Sequence, residues 1–464
     1  MENKLEKKYG LITAICMVVG IVIGSGVFFK AQDILNITQG NMPLGILAWI
    51  IGGIIMLICS INFSTFATHF EKVNGVVDYA EEVVGKRFAY YVGWFMTIIY
   101  YPTLTSVLAW VSARYTLVLF DGSADITSGL CLSLACAYLC GSFALNSLAP
   151  KLAGKFQVST TFIKLIPLLL MAVVGFIVGL VNGNTVNAFS SYASSNAGSS
   201  AFSALFPATV ATAFAYEGWI IATSINAELK DAKKNLPIAL TVGGSIVVLV
   251  YIIYYIGLSG AASVETLMVE GAQPAFINIF GNVAGTLLNT FIVISCLGTL
   301  NGLMLGTTRG MYSLAARNEG PSPELFGEVS KATNMPTNSS IFGILACGIW
   351  LFYFYGANLT KSIFGVFSFD SSELPIITIY ALYIPIFIMF IKKYGKENKV
   401  RNIVFPILGV ICSVFMIIAA FYAHGISKYQ AAAENGEFAF PVLFYLIIFA
   451  IVMIIGRIFE RKNK

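Results

Sequence analysis

Three stretches of this chain place groups able to hold a small charged ligand inside otherwise apolar sequence. The first is Gly20-Ile21-Val22-Ile23-Gly24-Ser25-Gly26, three glycines and a serine in a run of aliphatic residues. The second, Phe214-Ala215-Tyr216-Glu217-Gly218-Trp219, sets a carboxylate beside a glycine. The third is Lys164, an ammonium within Thr160-Thr161-Phe162-Ile163-Lys164-Leu165-Ile166-Pro167. Each glycine weakens a helix by about 1 kcal/mol and lets another group approach the backbone closely. A helix that comes apart there exposes amides at one new end and carbonyls at the other. Such amides attract an anion, and such carbonyls a cation. The chemistry is ligand capture, and a molecule with both a carboxylate and an ammonium, an α-amino acid, suits a pair of these ends. Small-residue packing accounts for any single glycine, since there are 42 in the chain. It does not account for two breaks in corresponding places.

The elements that must carry these stretches follow from composition. Of the 464 residues, 57% are hydrophobic and 11% charged, with a mean hydropathy of +0.81. A soluble domain carries about 25% charged residues, so this chain has too few to cover a water-exposed surface and reads as an all-α integral membrane protein. The formal charge of +5 is spread along the chain, which gives no basic patch for nucleic acid. Two distant histidines, His69 and His424, predict no metal site, and the eight cysteines lie in apolar runs without a CxxC. No HExxH, GxSxG or GxxxxGK[ST] occurs, so the motifs of a zinc protease, serine hydrolase or ATP-driven pump are missing. No cofactor is expected. The charged start, MENKLEKKYG, runs into a long apolar segment and reads as the lead of a first span rather than a signal peptide.

A helix needs about 20 apolar residues to cross the hydrocarbon core. That ruler gives twelve spans: 11–38, 43–68, 88–119, 126–148, 156–181, 202–226, 237–260, 281–314, 339–356, 362–391, 402–423 and 439–458. Most of the 28 Lys and Arg residues fall on the side of both termini, among them Lys4, Lys86, Lys230 and the run from Lys392 to Arg401, while Lys30, Arg114, Lys361 and Lys428 fall on the other. Both termini are therefore expected in the cytoplasm, the chain being a multi-pass protein of the cell membrane. Spans one and six, which hold the two breaks, open two five-helix halves. Paired interruptions of this kind point to the binding site of an inverted-repeat transporter. The expected organisation is a 5+5 core over 1–392, with repeats at about 11–181 and 202–391. Residues 393–464 add two transmembrane helices and a cytoplasmic tail.

At these residues the chain resembles the amino acid–polyamine–organocation transporters, and within them the L-type amino acid transporter branch. The likeness rests on Gly20-x-x-x-Gly24-Ser25-Gly26-Val27-Phe28, on Phe214 to Trp219 followed by Glu228 to Pro237, and on Asn301-Gly302, Arg309, Tyr312 and Ala316-Arg317 with Pro323 and Pro336. The resemblance implies that amides around Gly24, Ser25 and Gly26 hold the substrate carboxylate. It implies that the carbonyls of Val22, Phe214 and Glu217 accept from the α-ammonium, with the Phe214 ring closing over the ligand and Ala215 and Tyr216 completing the unwound turn. Trp219 is expected to pack and the Glu228–Pro237 loop to act as a gate or hinge; Tyr251, Tyr254 and Tyr255 of span seven either approach the site or, the preferred reading, pack. Animal members pair with a heavy chain through a cysteine between spans three and four; residues 120–125 contain none, so no covalent partner is expected and the chain resembles a bacterial permease.

The embedded charges leave alternatives. Lys164 either snorkels to the interface or, as the resemblance implies, lies against broken span one. There it would replace a sodium ion or carry a proton through the cycle. Glu217 either pairs with an ammonium or accepts from freed amides. Asp370 and Glu373, one helical turn apart in span ten where the resemblance implies a more apolar sequence, line a vestibule, cap a local break or bind a proton. The function expected is sodium-independent exchange of α-amino acids by alternating access, small neutral ones as in the bacterial serine/threonine exchangers or cationic ones through Glu217. Proton symport and polyamine or amine antiport are the near rivals. A channel or a membrane sensor is the rival of another class, but it would show rings of like residues or a signalling domain.

Overall fold

The computed structural model describes residues 10–24, 26–70, 75–120, 127–190, 199–359 and 362–460. Ser25 and the heavy-chain loop at 121–126 lie outside them, as do Lys4, Lys7, Lys8 and Lys361. Among the described residues there is no β-strand, as lipid requires of a chain that cannot close a barrel. Among the described residues eleven helices are long and apolar enough to span a membrane, and Leu11–Val22 with Gly26–Ile37, bent by 40° against each other, make twelve when taken as one broken span. The later spans are Met42–His69, Lys86–Phe120, Gly129–Leu148, Pro150–Val181, Ser203–Thr223, Ala232–Ala261, Leu287–Ala315, Thr337–Ala357, Leu374–Tyr394, Val400–Ala433 and Pro441–Ile458.

Three of the differences from the hydropathy reading bear on the site or its frame. Span five begins at Pro150 rather than 156, because proline suits the first helical turn, where its missing N–H costs nothing. Lys164 accordingly lies about 20 Å into the helix at 1.5 Å per residue, too deep to be an interfacial lysine. Span ten begins at Leu374, not 362. Residues 362–373 are non-helical apart from one turn at Gly365–Phe367, and Asp370 Oδ1 accepts from the Ser372 and Glu373 amides at 2.7 and 3.1 Å, which caps the start of the helix. Asp370 and Glu373 are therefore not neighbours on a helix face. Span eleven runs on to Ala433 through two π-helical turns, Val400–Val404 and Tyr422–Ile426. A further π-turn, Met96–Tyr100, interrupts span three.

Both expected breaks are present. The first helix ends at Val22 with Ile23 extended (ψ 98°) and restarts at Gly26. In span six the helix Ser199–Ala215 stops, Gly218 takes a positive φ of 102°, and a 3₁₀ segment Trp219–Glu228 continues. The breaks lock into each other. A Cβ on Gly26 would sit 2.6 Å from the Ala215 Cα, and one on Gly218 would sit 2.7 Å from Ile21 Cγ2. Spans three and eight pack along each other beside this crossing, and span seven packs along both spans one and two.

Gly26→Ala should therefore lower thermal stability in detergent by about 1–3 kcal/mol, the usual cost of overpacking against backbone. Gly141→Ala, inside the helix Gly129–Leu148 with open space around it, should not lower it and by helix propensity should raise it slightly. Equal midpoints for the two variants would show that the breaks are not in close contact.

Candidate functional site

Where the two breaks meet they enclose a cavity of about 30 Å³ lined by Val22, Gly24, Gly26, Phe214, Glu217 and Gly218, with Leu104, Leu108, Thr299 and Leu303 completing the wall. That volume holds a water molecule, not an amino acid, so this conformation is collapsed on its site. Of the residues singled out in the sequence, Val22, Gly24, Gly26, Phe214 and Glu217 share this wall; Ala215 stands behind it against Gly26.

Unwinding leaves carbonyls without helical partners, and side chains supply the missing donors. Lys164, fully buried, donates from Nζ to the Gly20 carbonyl, with Thr299 Oγ1 at 3.4 Å. An ammonium thus stands beside broken span one where its carbonyls face span eight. The Tyr251 hydroxyl shares its proton between the Val22 carbonyl (3.0 Å) and the Ala215 carbonyl (3.1 Å), tying one break to the other. Sequence reading left Tyr251 between approaching the site and packing, with packing preferred. Its ring does pack, edge-on to Trp49, but the hydroxyl occupies the Val22 carbonyl assigned to the ligand's ammonium. Glu217 accepts from the Tyr100 hydroxyl of span three. Trp219 is buried against Phe63 and Tyr383, a packing residue.

On the side away from the termini a larger hollow of about 990 Å³ reaches toward the cavity, lined by Lys30, Asp33, Asp370, Glu373 and His424 among others. Lys30 is not the loop charge that sidedness counting made of it. It is 4% exposed in the helix Gly26–Ile37, 2.5 Å from Glu373 Oε1 and 3.4 Å from Asp33 Oδ2. On the terminus side Arg317 pairs with Asp78 and, at 3.0 Å, with Glu81, joining the end of span eight to the short helix Val76–Val83. One ion pair thus lines the hollow, and another ties span eight to the short helix on the terminus side.

Against this geometry the sequence profile described as "Amino acid permease" matches residues 9–455. The chain belongs to the amino acid permease family. It is 30% identical over 427 residues to the serine/threonine exchanger SteT of Bacillus subtilis (strain 168), covering 90% of this chain and 91% of that protein. It is 26% identical over 446 residues to the human b(0,+)-type amino acid transporter 1, covering 96% and 87%. The crystal structure of MhsT in complex with L-phenylalanine shares the fold, with a TM-score of 0.56 and 14% identity over 90% of this chain and 99% of that one. The permease is a secondary amino acid transporter of the broken-helix type expected from sequence.

Three site-facing side chains escaped sequence reading: Tyr100, Thr299 and His424. Tyr100 and His424 both sit in π-helical turns, irregularities that often re-aim a functional side chain and leave no mark in hydropathy. Tyr251 was visible only as one of three tyrosines in span seven. In the permease, Tyr251→Phe keeps the ring but strips a donor from two buried carbonyls; such losses cost about 1–3 kcal/mol. It should lower stability by that amount and slow transport. Tyr254→Phe, whose hydroxyl has no hydrogen-bond partner among the described residues, should do neither. Identical behaviour of the two variants would remove Tyr251 from the site.

Proposed function

We propose that this permease exchanges small neutral α-amino acids across the bacterial cell membrane by alternating access, without sodium and without ATP. The observation that carries the reading is the Lys164 ammonium against the Gly20 carbonyl and Thr299. A fixed cation there satisfies the carbonyls freed by the break, which leaves no call for a metal ion at that point. The amides around Gly24, Ser25 and Gly26 are assigned to the substrate carboxylate, and the carbonyls of Phe214 and Glu217 to its ammonium. The Val22 carbonyl joins them once Tyr251 yields it. A substrate without a carboxylate, such as a polyamine, would leave the amides unanswered.

Two observations favour neutral over cationic side chains. Glu217 is engaged by the Tyr100 hydroxyl, which a guanidinium or ammonium would have to share or displace. The rest of the cavity wall is apolar, with Leu104, Leu108 and Leu303, and offers no second carboxylate to a cationic side chain. The similarity to SteT, named as a serine/threonine exchanger, points the same way. The core is assigned to residues 1–392, as repeats at about 11–181 and 202–391, with the pair of helices in 393–464 outside it. Both termini are assigned to the cytoplasm on the distribution of Lys and Arg. The chain works in lipid as a transporter and not an enzyme, without a covalent heavy-chain partner.

The test is exchange in proteoliposomes loaded with labelled serine. Unlabelled serine, threonine or alanine outside should drive efflux in sodium-free buffer, whereas arginine, ornithine and putrescine should not. Efflux driven only by an imposed pH gradient would replace exchange with proton symport. Lys164→Ala should cut the sodium-free rate by about tenfold or more, as expected for an intramembrane charge on the working path; an unchanged rate would refute the substitution of lysine for a cation.

A further inference from the structure

The hollow and the cavity are separated by a cluster that the transport reading leaves unused. Lys30 Nζ lies 5.6 Å from the centre of the Phe214 ring, so the lysine lines the hollow while the ring it overlooks lines the cavity. Glu373 Oε1 takes Lys30 at 2.5 Å. The other carboxylate oxygen, Oε2, lies 3.0 Å from His424 Nε2, a side chain of span eleven. All three are more than nine-tenths buried.

We propose that Lys30, Glu373 and His424 form the outer gate of the permease, with His424 the positioning residue that holds Glu373 in place for Lys30. The physical argument is that the pair can part without baring a charge. Lys30 rides on the half-helix Gly26–Ile37, beyond the break. Asp33 on the same helix lies 3.4 Å away and 36% exposed to the hollow, so the lysine keeps a counter-ion when that half-helix swings. Glu373 keeps His424. Neither group then pays the several kcal/mol of an unpaired buried ion. A buried pair with no second partner on either side would be a fixed strut. Asp370 and Lys428 also face the hollow, but Asp370 is engaged in capping span ten. The span-six face turned to the hollow contributes Pro207 and Ala211, which carry no charge.

The inference rests on alternating access, but its test is read without substrate, so its failure and a failure of the exchange reading are distinguishable. Leu108→Cys places a thiol in the wall of the cavity, on the far side of the gate from the hollow. Its modification by a charged, membrane-impermeant methanethiosulfonate is followed in the full-length protein in liposomes, with the unsubstituted protein as blank. Lys30→Met or Glu373→Gln in that background should label about tenfold faster as the closed population falls. His424→Phe should do the same, whereas His424→Gln, which keeps a side-chain donor, should label near the parent rate. The charge swap Lys30→Glu with Glu373→Lys should slow labelling again, which separates gating from misfolding. Parent-like rates in Lys30→Met and Glu373→Gln, or a swap as fast as the single changes, would overturn the gate. A parent-like rate in His424→Phe would overturn the role of His424.

Discussion

The constraint on which this structure depends is that a peptide group in hydrocarbon must have a partner. Leaving one bare costs several kcal/mol, so an unwound turn at mid-membrane is viable only if the protein answers it. Here the answers come from a few side chains. Lys164 serves the Gly20 carbonyl, and a single Tyr251 hydroxyl serves Val22 and Ala215, one from each break. The breaks therefore stabilise one another and neither would persist alone. Substrate binding then becomes a change of partners. A zwitterion brings its own donors and acceptor, and what it must displace is the Tyr251 bridge and the contact of Gly26 with Ala215. The small volume of the present cavity follows from the same rule, since a wider site would bare the groups that Tyr251 now covers.

The charged residues obey a parallel logic. A buried ion pair is a poor source of net stability, because desolvation consumes most of the Coulombic gain, yet stripping one partner is expensive. Such a pair makes a useful latch where water can reach it, since solvent then takes over the cost of separation. Lys30 with Glu373 stands at the edge of the large hollow, and Arg317 with Asp78 and Glu81 stands at the opposite mouth near the ends of spans. Lys164, by contrast, is fully buried and donates to a neutral carbonyl. Its charge is suited to persist or to leave as a proton, but not to open a path.

How legible was this in the sequence? Hydropathy marked the spans because lipid imposes length and apolarity together, and glycine clusters marked the breaks because only glycine admits the approach seen at Gly26 and the φ of Gly218. What escaped was decided by rotation rather than composition. The π-turn at Met96–Tyr100 alters the phase of span three and aims Tyr100 at Glu217, which no periodicity count reveals. Lys30 was assigned to a surface by rule, since charge-sidedness statistics treat a lysine near a span end as solvated; its burial depends on Glu373, 343 residues away. The start of span ten was misplaced because residues 362–373 are apolar enough to pass for helix. Only the Asp370 cap and Pro375 in the first turn define where the helix begins.

The C-terminal helices bear on how the proposed gate would move. Span eleven is fastened to span two, where Asn62 Nδ2 donates to the Phe405 carbonyl at 2.9 Å. Span twelve is fastened to span three, with Trp94 Nε1 donating to the Val452 carbonyl at 2.8 Å and Tyr90 to Gly456 at 2.6 Å. These bonds tie the pair to spans two and three, while span eleven also packs on span six through Phe206 against Phe415 and Tyr422. Glu373, held by His424, belongs with that frame, and Lys30 belongs with the mobile end of span one. Separation should then occur at the Lys30–Glu373 contact while the His424–Glu373 contact survives, because the first crosses the boundary between frame and half-helix and the second does not. Helices that look accessory in sequence would on this argument supply the fixed post against which the gate closes.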